Sequence, residues 1–252
     1  MTYFYRDPAS MVSFLEVWII NEMKKESASG GVIGLSGGID SAAAAALLRH
    51  ACGRDNMLAL IMPCRNAPED ERDARLIAET LDIPVKKVDI TEAYDTLANG
   101  IEASCGKLGR AARAEIKPKL RMAALYSVAQ VRNFMVVGAG NKDELYLGDF
   151  TKYGEVGVDM LPFGDLLAGE VTALARYLNV PDEIINRPRA GAALRDQSDG
   201  AEADLTYDDI DLFIATGNTD PGTAMKIKEA YEISRNKRSP VRIPAVPRAN
   251  FR

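Results

Sequence analysis

Histidine is almost missing from these 252 residues: His50 is the single one, so any mechanism built on two imidazoles is excluded. Cysteine is scarce as well. Cys52, Cys64 and Cys105 are scattered, giving neither an even disulfide set nor metal-ligand spacing, and they read as reduced thiols of a cytoplasmic protein. No apolar run approaches the roughly 20 residues of a membrane span; the longest, such as 41–48, are short and alanine-rich. Residues 1–8 lack the basic-then-apolar order of a signal peptide. A formal net charge of −5 argues against a dedicated nucleic-acid binder. What is present, 47% hydrophobic and 27% charged residues, excludes disorder and suits a chain with one sizeable core.

Apolar positions at 11, 15, 18, 19 and 23, after Asp7 and Pro8, predict a first helix. A short apolar strand over 31–36 follows, then glycines and an alanine-rich helix ending near Gly53. Strands are expected at 57–62, 85–90 and 134–138, with helices at 69–81, 117–132 and 166–178. This alternation predicts an α/β fold: a doubly wound, mostly parallel sheet with helices on both faces. Residues 186–204 lose periodicity and read as a mobile loop. Helices near 208–215 and 223–235 precede a tail, 234–252, with six Lys or Arg and no acidic residue. The whole chain, 1–252, reads as one domain.

The stretch that carries chemistry is Gly34, Leu35, Ser36, Gly37, Gly38, Ile39, Asp40 and Ser41, placed between a strand and a helix. In open α/β sheets ligands bind at the carboxyl ends of strands, where this loop sits. Gly37 and Gly38 let backbone amides approach an anion, and the helix start near Asp40 aims its positive dipole end at the same point. Ser36 and Ser41 add hydroxyl donors. Asp40 would repel a phosphate unless a divalent cation lies between them, so the arrangement implies a Mg²⁺-bound pyrophosphate cradle. Its competitor is a glycine turn in which Asp40 caps the helix. The Gly-Lys-Ser/Thr ending of the Walker loop is absent, which excludes that class of phosphoryl-transfer enzyme.

This octapeptide resembles the pyrophosphate loop of the N-type ATP pyrophosphatases, which cleave ATP between its α and β phosphates. Three further segments resemble the ammonia-dependent NAD⁺ synthetases within that superfamily: 61–70, 117–122, and 148–159 with Phe150, Thr151, Lys152, Tyr153 and Gly154 followed by Asp159 and Pro162. Asn236, Lys237, Arg238 and Pro240 resemble the family's terminus. The resemblance runs from about residue 10 to 245 and implies ATP-dependent amidation of deamido-NAD⁺ by ammonia. It assigns ATP phosphates to residues 34–41, Mg²⁺ to Asp40 and Glu144, and deamido-NAD⁺ to Lys119, Lys152, Asp159, Asn236 and Lys237. It also implies a homodimer. The 252 residues leave no room for a glutaminase domain, so ammonia is expected from solution or a separate chain.

Departures from the family pattern fall on ATP contacts. Ala139, Ala168 and Ala190 stand where the family has Thr, Lys and Ser or Thr. The phosphate cradle is intact while peripheral ATP contacts are thinned, which leaves open a relative amidating another carboxylate, or a nucleotide-binding module with little activity. A tRNA sulfur-transfer enzyme is disfavoured, lacking a cysteine pair and a basic appendage. Blander alternatives stand beside several residues: Glu144 as a surface carboxylate, Lys119 facing solvent, Cys64 as core filler, 69–73 as a solvated helix start, and Trp18 as core or a dimer face.

Overall fold

Three of the five residues of β1 (Gly30–Gly34) are glycine, and the packing around them says why. A Cβ on Gly30 would lie 2.0 Å from the carbonyl oxygen of Asn56, and one on Gly31 would lie 2.9 Å from the Leu48 side chain. A neighbouring backbone at Gly30, and core side chains at Gly31 and Gly34, occupy the space a side chain would need. In the computed structural model, which describes residues 5–189 and 205–245, β1 is flanked by β2 (Met57–Ile61) and, on its other edge, by β4 (Phe134–Val137). β3 (Val85–Lys87) pairs beyond β2. All pairings are parallel and the order is β3-β2-β1-β4. The chain thus winds one way from β1 to β3 and returns to the opposite edge of β1. That reversal opens a crevice between the carboxyl ends of β1 and β4, the usual ligand position in such sheets.

Alternation along β1 divides the core. Ile33 faces a large cluster built with α1 (Pro8–Lys25), α2 (Ile39–Cys52), α3 (Pro68–Thr80) and α7 (Ala168–Tyr177). Val32 faces α5 (Arg110–Arg132), packing with Leu58, Leu60, Val136, Met122, Leu125 and Ala129. Helices therefore cover both faces of a parallel sheet, as the sequence predicts. Asp7 caps α1 by accepting from the Ser10 amide at 2.9 Å, with Pro8 in the first turn. Trp18 packs against the larger cluster, and Cys64 is buried in a third, small cluster with Ile90, Tyr94, Ala98 and Ile116.

Several boundaries differ from the sequence reading. β3 ends at Lys87 rather than Ile90, and α4 (Thr91–Cys105), which was not expected, follows it. Only Tyr94 and Ala98 of α4 are buried, too few to make a legible apolar stripe. α5 begins at Arg110, not Lys117, and continues through Pro118. Short α6 (Lys142–Leu147) and α8 (Asp182–Ile185) flank the crevice and the end of α7. α9 (Tyr207–Thr216), α10 (Pro221–Ile233) and α11 (Arg235–Arg238) form the carboxyl-terminal layer on α6 and α7. Ala190 and most of the 186–204 segment, together with the end of the tail, lie outside the described residues. Among the described residues no helix is long and apolar enough to cross a membrane.

Candidate functional site

β1 delivers its last residue, Gly34, to the crevice, and the following turn is tied by its own hydroxyls. Ser41 Oγ donates to the Gly38 carbonyl (2.9 Å) and lies 3.0 Å from Ser36 Oγ, while the Ser36 amide donates to Ser41 Oγ (3.2 Å). Gly37 has φ +90°, a left-handed conformation that disfavours side chains, and a Cβ there would stand 2.7 Å from the Asp70 carbonyl oxygen. No side chain caps α2, so the amides of its first turn, which carries Asp40, are left without a side-chain partner at the glycine turn.

Asp40 is reached from two distant parts of the chain. Its Oδ1 accepts from Asn141 Nδ2 at 3.1 Å and from the Arg189 guanidinium at 2.5 Å. Asn141, fully buried, caps α6 with a reciprocal pair: its Oδ1 accepts from the Glu144 amide and its own amide donates to Glu144 Oε2, both at 3.0 Å. One asparagine therefore fastens two carboxylates, Asp40 and Glu144, on the same wall. Burial first, then the Asp40 carboxylate, pushes Glu144 up to about 8. Two acidic groups crowded in a poorly hydrated wall suit a divalent cation that would relieve their repulsion. Among the described residues there is no cluster of three or more acidic, histidine or cysteine side chains for a metal. The donor set fits Mg²⁺, which commonly takes one or two carboxylates and completes its shell with water and phosphate oxygens.

Behind these groups lies a cavity of about 770 Å³, lined by residues of the loop and by Met62, Pro63, Arg121, Met122, Leu125, Val137, Ala139, Gly140, Val158, Arg187 and Arg189. It is polar at the glycine loop and apolar along β2, α5 and β4, and its size suits a nucleotide. A concavity of similar volume along α4, lined by Asp89, Leu97, Ile101 and Cys105 among others, holds no comparable loop.

The five residues that the resemblance assigns to deamido-NAD⁺, Lys119, Lys152, Asp159, Asn236 and Lys237, do not line this cavity. Lys152 Nζ donates to the carbonyls of Asn236 (2.7 Å) and Ser239 (2.9 Å), and Lys237 Nζ to that of Gly148 (2.7 Å), which knots the 148–153 turn to α11. Lys119 pairs with Glu115 one turn earlier (2.6 Å), and Glu115 also accepts from Thr151 (3.3 Å). Asp159 accepts from the Val136 amide (2.7 Å) and from Tyr126 Oη (3.0 Å). The acidic start of α3 is more than a solvated cap: buried Asp73 holds Arg187 at 2.5 Å, and Asp70 holds it at 3.0 Å. Sequence reasoning missed Asn141 and Arg189. The motif Asn-x-x-Glu at 141–144 is a capping-box signal that was available; nothing local marks Arg189.

A glycine loop at a sheet's switch point, with two carboxylates fastened beside it and a cavity of nucleotide size behind, is the arrangement of an α/β nucleotide-binding protein. A family model described as NAD synthase matches residues 11–241. The NH(3)-dependent NAD(+) synthetase of Syntrophomonas wolfei is 38% identical over 244 residues, covering 96% of this chain and 98% of that protein. Its counterpart from Carboxydothermus hydrogenoformans is 40% identical over 91% of this chain and 93% of its own length. Among solved structures, an NMN synthetase from Francisella tularensis superposes with a TM-score of 0.85 at 31% identity, covering 96% of this chain and all of that one. The chain belongs to the NAD synthase family, and is with it a ligase.

Proposed function

We propose that this chain joins ammonia to the carboxylate of deamido-NAD⁺ at the expense of ATP, giving NAD⁺, AMP and pyrophosphate. The observation that carries this reading is the pairing of Asp40 and Glu144 through Asn141 beside the glycine loop. The deamido-NAD⁺ carboxylate oxygen forms a bond to the α-phosphorus as the bond to the bridging β-oxygen breaks, and pyrophosphate departs. Ammonia then adds to the acyl carbon of the adenylate, AMP leaves with the bonding electrons, and the surplus proton passes to solvent.

The loop residues Ser36 to Ser41 bind the phosphates through hydroxyls, amides and the open end of α2. Asp40 and Glu144 would hold Mg²⁺, which supplies charge neutralisation to the phosphates when bound. The apolar length of the cavity, Met62 to Leu125, would shield the adenine and exclude water. Lys119, Lys152, Asp159, Asn236 and Lys237, outside this cavity, are assigned to deamido-NAD⁺. That division leaves the acyl acceptor on the side of α11 and the 148–159 segment; the resemblance to the family is the ground for a homodimer, and the scattered thiols for a cytoplasmic one. No side-chain nucleophile is required, because the leaving group is activated and ammonia attacks directly.

The test is to supply deamido-NAD⁺, ATP, Mg²⁺ and ammonium and to follow NAD⁺ and AMP together. Equal formation of both is expected, and Asp40→Asn lowers the rate by roughly a hundredfold or more. AMP without NAD⁺ would sink the reading. The likeness to an NMN synthetase supports a second acceptor, the mononucleotide acid, so that compound runs as a parallel arm. Preference for it by kcat/KM would replace deamido-NAD⁺ with its smaller relative.

A further inference from the structure

Position 168, where a lysine would be expected in the family pattern, is an alanine buried to 1% exposure in the first turn of α7. A cation nevertheless arrives there from elsewhere. The Arg189 guanidinium donates to the Ala168 carbonyl (2.9 Å) and to Thr172 Oγ1 (3.1 Å), and stacks 5.3 Å from the Tyr207 ring centre. Its side chain is 11% exposed and lines the nucleotide cavity. Arg187, two residues earlier, has both Asp70 and Asp73 for partners. Among the described residues Arg189 makes one salt bridge, to Asp40, which is also the carboxylate the metal would take.

These contacts cannot all persist in a loaded site. Mg²⁺ held by Asp40 would weaken the carboxylate's hold on the guanidinium, and a poorly hydrated guanidinium needs an anion. Phosphate is the anion that comes with the metal, and the planar donor fork of arginine suits it in two-point fashion. We propose that Arg189 is a phosphate-binding residue of the ATP site. It is the counter-ion of Asp40 before nucleotide enters, and it exchanges that carboxylate for a phosphate of the metal-bound nucleotide. The inference rests on the ATP-binding part of the function proposed above, and it restores from position 189 the cation that Ala168 lacks.

An exchange of partners gives two effects of opposite sign. Removing the guanidinium frees Asp40 for metal but deprives the phosphates of a donor. Arg189→Gln should therefore bind Mn²⁺ alone, read by electron paramagnetic resonance, at least threefold more tightly. By calorimetry it should bind the Mg²⁺ complex of α,β-methylene-ATP at least tenfold more weakly. Arg189→Lys, which keeps the charge and loses the fork, should leave Mn²⁺ affinity within twofold and weaken the nucleotide complex about threefold. It serves as the reading if the glutamine variant does not fold. Tighter metal with unchanged nucleotide overturns the phosphate role, and a parallel loss of both with a lowered melting temperature reduces Arg189 to a strut. Nucleotide binding by the parent without NAD⁺ synthesis would sink the amidation and spare this inference, whereas no nucleotide binding at all would sink both.

Discussion

Gly37 and Gly38 look equivalent in the sequence and are not equivalent in space. Gly37 is at φ +90° with the Asp70 carbonyl oxygen 2.7 Å from any added Cβ, whereas Gly38, the residue before α2, has φ −86° and its nearest neighbour, Ser36 Oγ, at 3.5 Å. Gly37→Ala should cost about 1–2 kcal/mol of stability and much of the ATP affinity. Gly38→Ala should stay within about 0.5 kcal/mol of the parent in the same melts. The loop was legible because its chemistry is local: glycines, hydroxyls and one acid within eight residues. Asn141 and Arg189 reach Asp40 across 101 and 149 residues of chain, and no spacing rule connects them. The knot of Lys152 with α11 was half legible: the residues stood out, but their partners are backbone carbonyls that sequence does not mark.

Among elements, α6 is the short helix on which the site depends. Its cap belongs to the same asparagine that steadies Asp40, so local helix stability and carboxylate placement are one quantity. Asn141→Ala should lose about 1 kcal/mol through the cap and weaken Mn²⁺ binding as well. Asn141→Ser should recover most of the stability without recovering metal affinity, since a serine caps but is too short to replace the amide donor to Asp40. Thermal melts and metal titration on the two variants separate the roles. Strong apolar periodicity made α1 and the latter part of α5 readable, whereas α4 escaped notice because it buries little. The extension of α5 ahead of Pro118 ran against the expectation that proline sits near a helix start.

Across the whole molecule, Arg6 ties the segment before α1 to α7. The buried carboxylate of Glu170 accepts from the Arg6 backbone amide (3.0 Å), Nε (2.8 Å) and the terminal guanidinium nitrogen (2.7 Å), and from the Leu167 amide (3.0 Å). Burial alone would raise this carboxyl, yet the Arg6 bonds outweigh it and hold Glu170 below its ordinary 4.5. A lowered carboxyl contributes stability above its unfolded value and loses it as pH falls further. The parent should therefore shed this contribution below about pH 4.5, and Glu170→Gln should show a flatter acid limb. At neutral pH the variant should be weaker by about 1–2 kcal/mol, the buried-pair cost reduced because Arg6 is half exposed. Denaturant titrations at pH 7 and pH 4 check both signs.

The residues of α2 from Ala42 to Ala46 are all buried, and Gly31 of β1 gives up its side-chain space to Leu48 of the same helix and to Met23 of α1. Helix and strand are locked there by the Leu48 methyl carbons, which stand 2.9 and 3.1 Å from where a side chain on Gly31 would begin. The phosphate loop is thus suspended between two members with no slack, and nucleotide-site remodelling on that side would jam the joint. Room for reshaping lies across the crevice, where an added methyl on Gly140 meets its neighbours no closer than 3.6 Å. Any drift toward a bulkier or differently shaped nucleotide has its free passage through β4's exit, leaving the hinge of the cradle as it stands.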